Sequence, residues 1–267
     1  EVINEVDVSC IFGEVNLQKN CELYRRYYHI NKPWIVHPFV YAERFQNKTP
    51  FSKRKNMAFA TGTITYKTHE EFINTYGDPC DQPSRKQIKD NPEFFRDTIY
   101  CTSSDYLEDN AGKVVNDKDW ILSKIYKKVY NRLFTGKQKK YYSFDMVESF
   151  NSYKKCIVGE EILCIPGIGL VEGMACGCAY IGQDLPAYRD WGLIPGKHFI
   201  TYDGTKEDLK RIIQYYQKEE NQAELEQIAN TGYEYVRKHF NGNAVAEQLM
   251  KDLIKQQKEW LSEKGEG

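Results

Sequence analysis

The 267-residue sequence is sparing in several features that decide function early. It has no apolar run near the roughly 20 residues needed to cross a bilayer, so no membrane-spanning helix is expected. Its net charge is −1 with 28% charged residues, which leaves no overall field to draw in nucleic acid or an anionic membrane. The one basic run, "TGKQKKYY", has the length of a solvated turn. No GxGxxG follows a strand, which disfavours an NAD-type dehydrogenase. Eight cysteines are present, yet no pair has CxxC spacing, and Cys156, Cys164, Cys176 and Cys178 sit in apolar surroundings. That pattern fits buried free thiols in a reducing, cytoplasmic compartment and no metal site. No internal repeat or low-complexity segment stands out. The first residue is Glu1 rather than Met and no signal-peptide pattern follows it, so a piece of a longer polypeptide is expected.

What is present points to a folded α/β chain. Aromatic residues reach 14%, largely through twenty tyrosines, which argues against disorder. A chain of this size hides roughly 70–75% of its unfolded surface. "VDVSCIFG", "NCELYRRYYHI" and "PWIVHPFVY" read as strand, helix and extended segment, followed by a loop rich in Asn, Lys and Pro. "MAFATGTITY" reads as a strand that meets a glycine, and "THEEFINTYG" as a helix opened by Thr and closed by Gly. "SRKQIKDNPEFF" and "DWILSKIYKKVYNRLF" are amphipathic helices around a short strand, "DTIYCTSS". From Ser143 the order is regular: helix, the strand "KCIVG", a loop, the helix "LVEGMACG", the strand "CAYIG", the strand "HFITYD" and three amphipathic helices. Such alternation implies parallel βαβ units in a Rossmann-like, doubly wound sheet.

The least ordinary stretch is "GIGLVEGMACGCAYIG", residues 167–182. In a doubly wound sheet, ligands bind beyond the carboxyl ends of the strands, where loops enter helices. Gly167 and Gly169 would let the backbone approach a ligand and leave N–H groups free at the helix start, a setting that favours phosphate. Glu172, in the first helical turn, could accept hydrogen bonds from ribose hydroxyls. The plain alternative is a glutamate serving as helix N-terminal charge beside tight packing.

These residues resemble a signature of GT-B glycosyltransferases, in the C-terminal, nucleotide-sugar-binding half. The match runs from about Phe51 to Leu253, through "FATG", "GLVEGMACGCAYIG" and the "YDG" loop before the terminal helices. Group 1 and spore-maturation-protein-like enzymes are the most similar, with exostosin-type enzymes more distant. The resemblance implies a nucleotide-diphosphate sugar as donor, a glycan or lipid-linked acceptor, polysaccharide biosynthesis, and no cofactor besides the donor. It assigns Glu172 to the ribose, and Gly167, Ile168, Gly169 and Leu170 to the loop whose backbone meets diphosphate and sugar. Thr63 and Lys67 occupy the region of a cationic diphosphate contact, although Lys67 equally reads as an exposed helix-start lysine. Arg85 and Lys86 are further cations on a segment that could approach the diphosphate.

Two departures stand against the family pattern. Retaining members carry a second glutamate eight residues before the first, where this chain has Cys164; Glu160 or Glu161 could stand in from the strand end. Complete enzymes have two Rossmann-like halves, and too few residues precede "FATG" for a whole one. Residues 1–50 are therefore expected to be a remnant of, or bridge to, an N-terminal half, and residues 51–267 the nucleotide-sugar-binding domain. No catalytic residue is assigned; His37, beside Pro38, reads first as structural. The rival function is a non-catalytic Rossmann-like module for binding or assembly within a larger polypeptide. Donor turnover separates the two.

Overall fold

The computed structural model describes residues 2–105, 120, 121, 123, 125, 126, 129 and 145–263. The expected helix over 119–134 lies largely outside the described residues, and the basic run "TGKQKKYY" entirely so.

Nine short strands form among the described residues: β1 (Ile11–Gly13), β2 (Trp34–Val36), β3 (Lys55–Ala60), β4 (Thr63–Ile64), β5 (Ile99–Cys101), β6 (Ser104–Asp105), β7 (Tyr153–Ile157), β8 (Ala179–Gly182) and β9 (Ile200–Thr201). Five of them make one wholly parallel sheet in the order β5-β3-β7-β8-β9. The chain goes from β3 to β5 on one side, then returns to lay β7 on the other side of β3. Winding therefore reverses between β3 and β7, which places a crevice outside their carboxyl ends.

Alternation along these strands explains why both faces are covered. Phe59, Cys156, Tyr180 and Phe199 point to one face, where they meet α2 (Met146–Ser152) and α3 (Gly169–Ala175). Ala58, Ala60, Ile157, Ile181 and Ile200 point to the other, against α1 (Pro83–Asp90) and α4 (Lys206–Tyr215). The long α5 (Gln222–His239) supplies residues to both cores, and α6 (Gly242–Glu263) follows it. This is the doubly wound sheet expected from strands buried on both sides. The leading residues pair β1 with β2 in a parallel sheet of their own, and send Tyr41 and Phe45 into the first core.

Local chemistry sets several element ends. Asp145 caps α2 by accepting from the N–H groups of Val147 and Glu148. Thr205 caps α4 through Asp208 N–H. The expected Thr cap of "THEEFINTYG" is not made: that helix opens at Glu70 with His69 at the cap position and no side-chain bond. "MAFATGTITY" becomes two strands in different sheets, because Gly62 turns the chain at φ 130° between them. "SRKQIKDNPEFF" becomes two helices, since Pro92 disfavours a helical Asn91.

One core residue has an energetic consequence of its own. Lys155 on β7 is fully buried, and its ammonium donates to Asn56 Oδ1 at 2.7 Å. Burial, with Lys154 adjoining, pushes its pKa from 10.5 down to about 7. Between those values the unfolded chain holds a proton that the folded chain lacks, so stability rises with pH across that window. Lys155→Met should therefore stabilise the fold by about 2 kcal/mol near pH 7, after allowing for the donor that Asn56 loses. Urea midpoints should differ most below pH 7 and converge toward pH 10.5; equal midpoints at pH 6.5 would contradict this.

Candidate functional site

Helix α3 is drawn against β7 because its glycines have no side chain. A Cβ on Gly173 would lie 2.6 Å from Cys156 Sγ, and one on Gly169 3.0 Å from Val158. Arg54 closes the other end of the helix by donating to the Cys176 carbonyl at 2.7 Å. The small residues of the motif are thus explained by packing. Its glutamate is not.

Glu172 is half-buried in the first turn of α3, and its side chain makes no hydrogen bond or ion pair among the described residues. Burial raises its pKa, with the Arg44 charge pulling the other way. Just before it, the N–H groups of Gly167, Ile168 and Gly169 donate to no acceptor among the described residues, whereas Leu170 N–H is taken by the Gly167 carbonyl at 3.1 Å. Ile168 is exposed and Leu170 lies wholly in the core. Among the described residues, a carboxylate without a partner and three free donors therefore share one loop-to-helix junction beyond β7.

The crevice between β3 and β7 holds Arg85, from α1, which is 8% exposed. Its guanidinium donates to the carbonyls of Val158 (2.5 Å), Thr63 (2.7 Å) and Gly159 (3.1 Å). Glycines at 62, 159 and 167 surround it, and a Cβ on any of them would come within 2.9 Å of the arginine side chain. Arg85 thus ties the loops after β3 and β7 together. Lys86, its neighbour, faces solvent and pairs with Asp90 at 2.7 Å. Lys67 is not at a helix start; it precedes the helix by three residues and its ammonium stands 3.4 Å from Asp81 Oδ2. Thr63 offers its carbonyl to Arg85 from β4.

The acids after β7 differ sharply from one another. Glu160 is 3% exposed, and its Oε1 accepts from Tyr188 Oη (2.7 Å), Tyr180 Oη (2.9 Å) and Gln183 N–H (2.9 Å). The two phenols also meet at 2.9 Å. Burial raises the pKa of all three groups. Glu161 is half-buried, accepts from Gln82 Nε2 at 3.3 Å, and is raised by burial and by Asp81. Cys164 sits at φ 62° with a half-buried thiol. His37 Nδ1 lies 3.2 Å from the Pro38 carbonyl, on the leading segment.

Polar atoms left without partners mark the same edge of the sheet. Five buried side-chain atoms among the described residues lack a hydrogen bond: Trp34 Nε1, Asp81 Oδ1, Ser103 Oγ, Glu160 Oε2 and Tyr202 Oη. Ser103, Glu160 and Tyr202 follow β5, β7 and β9, and the Asp81 carbonyl is bonded by Ile162 N–H of the loop after β7. Unsatisfied buried groups are uncommon in folded proteins, and four of these five gather where a doubly wound sheet takes its ligands. Nothing in the sequence singles out Ser103, Tyr202, or the tyrosines that hold Glu160. Tyr180 in particular reads as one more apolar strand residue.

Comparison with known proteins bears on the fold. Among solved structures, sucrose-phosphate synthase from Thermosynechococcus elongatus superposes with a TM-score of 0.51 at 13% identity, over 96% of this chain and 59% of that one. HepE from Anabaena, solved in complex with UDP and glucose, superposes with a TM-score of 0.56 at 11% identity, over 94% of this chain and 64% of that one. These likenesses bear out the Rossmann-like, GT-B-type fold, and this chain spans less than two thirds of either structure. No curated protein matches the sequence. Among the described residues, no group of three or more His, Cys, Asp or Glu could hold a metal ion, and no helix is long and apolar enough to cross a membrane. The profile of a family described as glycosyl transferase-like matches residues 86–251, more than half of the chain, and includes α3 with Glu172. On that match the chain belongs to the glycosyl transferase-like family.

Proposed function

We propose that this chain is the donor-binding part of a glycosyltransferase that moves a sugar from a nucleotide-diphosphate sugar to a glycan or lipid-linked acceptor. The observation that carries the reading is Glu172, a half-buried carboxylate with no partner among the described residues, at the ligand edge of the sheet. It holds the ribose hydroxyls. The N–H groups at Gly167, Ile168 and Gly169 meet the diphosphate, and Leu170 contributes by fixing their helix through its buried side chain. Transfer follows when the acceptor hydroxyl attacks the anomeric carbon while the leaving diphosphate is held by preoriented donors. Thr63 stands beside this loop through Arg85, and Lys67 serves the diphosphate by exchanging its Asp81 contact for phosphate. The reading calls for the donor and no other cofactor, a cytoplasmic setting, and an acceptor site on further domains of a longer chain. HepE, whose structure holds UDP and glucose, supports the choice of donor class.

A second reading, a module that binds nucleotide without turning it over, is favoured by one observation. Arg85 and Lys67 both face protein oxygens, so neither of these two cations already waits for the diphosphate. Thermal-shift titration with UDP, ADP, GDP and their sugar conjugates tests the common step, because a ligand that binds only the folded state stabilises it by RT ln(1 + [L]/Kd). At 100 Kd the gain is about 2.7 kcal/mol, which raises the melting temperature by several degrees. One nucleotide family should stand out; a flat panel would count against both readings. Release of free sugar or glycosylated product from the matched donor then separates enzyme from module.

A further inference from the structure

A cavity of about 230 Å³ lies between the leading segment and the C-terminal helices, and it shares no residue with the junction before α3. β2 and His37 border it on one side and the short helix Pro186–Asp190 on another. The end of α5 and the first turns of α6 close the third. Its buried wall is apolar, made by Ile35, Trp191, Phe240 and Val245. Trp191 and Phe240 meet edge to face, with ring centroids 5.9 Å apart. The indole N–H is already spent on the Glu14 carbonyl at 2.8 Å, and the Tyr235 phenol donates to the Trp191 carbonyl at 3.0 Å. These aromatic groups therefore offer ring surface and no spare donor.

The rim offers acceptors. Asp252 is bonded by Gln248 Nε2, at 3.0 and 3.1 Å, and pairs with no cation among the described residues. Asp190 has only long contacts, 3.7 Å to Lys19 Nζ and 3.4 Å to Asn20 Nδ2. His37 turns Nδ1 to the Pro38 carbonyl at 3.2 Å, which in the neutral ring puts the proton on Nδ1 and leaves a lone pair on Nε2. No lysine or arginine lines the cavity. Each carboxylate has acceptor sites left over. Two negative charges thus stand beside an aromatic wall with no lysine or arginine in the lining to balance them. An anion is repelled there, and a neutral hydroxyl leaves the charge uncompensated. An ammonium answers both parts: its N–H groups meet the carboxylates, and its charge and alkyl carbons are favoured beside aromatic rings.

We infer that this cavity binds a small organic ammonium ion, held by Asp190 and Asp252 against Trp191 and Phe240. At the ~30 Å³ that a water molecule occupies, there is room for about seven or eight non-hydrogen atoms. The bound ion bridges β2 of the leading segment and α6, and its binding adds to the stability of the folded chain. The inference goes beyond the donor site and holds whether or not this chain turns over a nucleotide sugar.

Butylammonium, 1-butanol and butyrate have nearly the same shape and differ in charge. Each would be titrated at pH 7.5, in a buffer free of amines, into the wild type, Asp252→Asn and Asp190→Asn. Saturation-transfer NMR reports binding, and thermal melts report stability. Butylammonium should bind the wild type in roughly the millimolar range and raise its melting temperature, with butanol and butyrate at least about tenfold weaker. Each Asp→Asn change keeps the side-chain shape, and should weaken butylammonium about fivefold to tenfold while leaving butanol unchanged within about twofold. Both carboxylates are on the rim, so neither change should lower the melting temperature of the free protein by more than about 2 °C. If one variant does not fold, the other decides, together with the three-ligand comparison on the wild type. Butanol binding as tight as that of butylammonium would mean an apolar cavity without charge recognition, and would overturn the inference. So would unchanged butylammonium affinity in both variants, or no saturable binding of it to the wild type below about 50 mM.

Discussion

Glu172→Gln should weaken binding of the matched nucleotide donor at least about tenfold while leaving the fold as stable or slightly more so. Each hydrogen bond from a ribose hydroxyl to a charged acceptor is worth about 1.5–3 kcal/mol, and the amide forfeits most of that. Glutamate gives the fold no such return, because its carboxylate is half-buried and bonded to nothing among the described residues. Burial raises its folded pKa, so stability falls as pH rises from the unfolded value through the folded one, and the cost persists at neutral pH. The amide removes that cost. A second signature follows from the same shift: wild-type affinity should fall as pH drops into the range where Glu172 takes up its proton, and the Gln variant should not follow it. Isothermal titration at pH 7.5 and at stepwise lower pH, with thermal melts alongside, measures both. Equal affinities for the two proteins, or an unfolded variant, would assign Glu172 to packing.

Arg85→Ala is expected to cost about 3 kcal/mol or more of folding stability, a fall of about 6–12 °C in melting temperature. The guanidinium is buried and serves three carbonyls at once, two after β7 and one on β4. Its removal strips those carbonyls of charged donors, and opens a hole lined by Gly62, Gly159 and Gly167, none of which has a side chain to fill it. Arg85→Lys should recover only part of the loss, because an ammonium cannot reproduce the planar fork. Lys86→Ala is the matched control: its partner Asp90 is on the solvent side, and the melting temperature should stay where it is. Urea denaturation of the wild type and the two Arg85 variants would show the order of stability wild type, Lys, Ala, with Lys86→Ala level with the wild type. An Arg85→Ala protein as stable as wild type would mean that the guanidinium is not what holds the two loops together.

Much of the architecture was legible because it depends on neighbours along the chain. The apolar runs "KCIVG" and "CAYIG" are buried strands, and "KEDLKRIIQYYQKE" has the period of a helix with one buried face, which the structure confirms at Leu209, Ile212 and Ile213. Errors fell where one residue redirects the backbone: the turn at Gly62 splits a single apparent strand, and Pro92 splits a single apparent helix. The lone acid in the α3 motif was also visible, since a carboxylate among small and apolar residues is conspicuous without any coordinates.

By itself, the sequence determined the parallel α/β class, the glycine-bearing junction before α3, and Glu172 as the carboxylate to question. Only the tertiary structure decided which charges are already spent. Lys67 and Arg85 read alike as spare cations, yet one faces Asp81 and the other the carbonyls of Val158 and Gly159, more than seventy residues further along the chain. Likewise Glu160 and Glu161 are adjacent in sequence, but only the first is enclosed by Tyr180 and Tyr188. The physical reason is range. Periodicity and turn chemistry act over a few residues, whereas the partner of a buried charge is chosen by which strand ends the sheet order brings together.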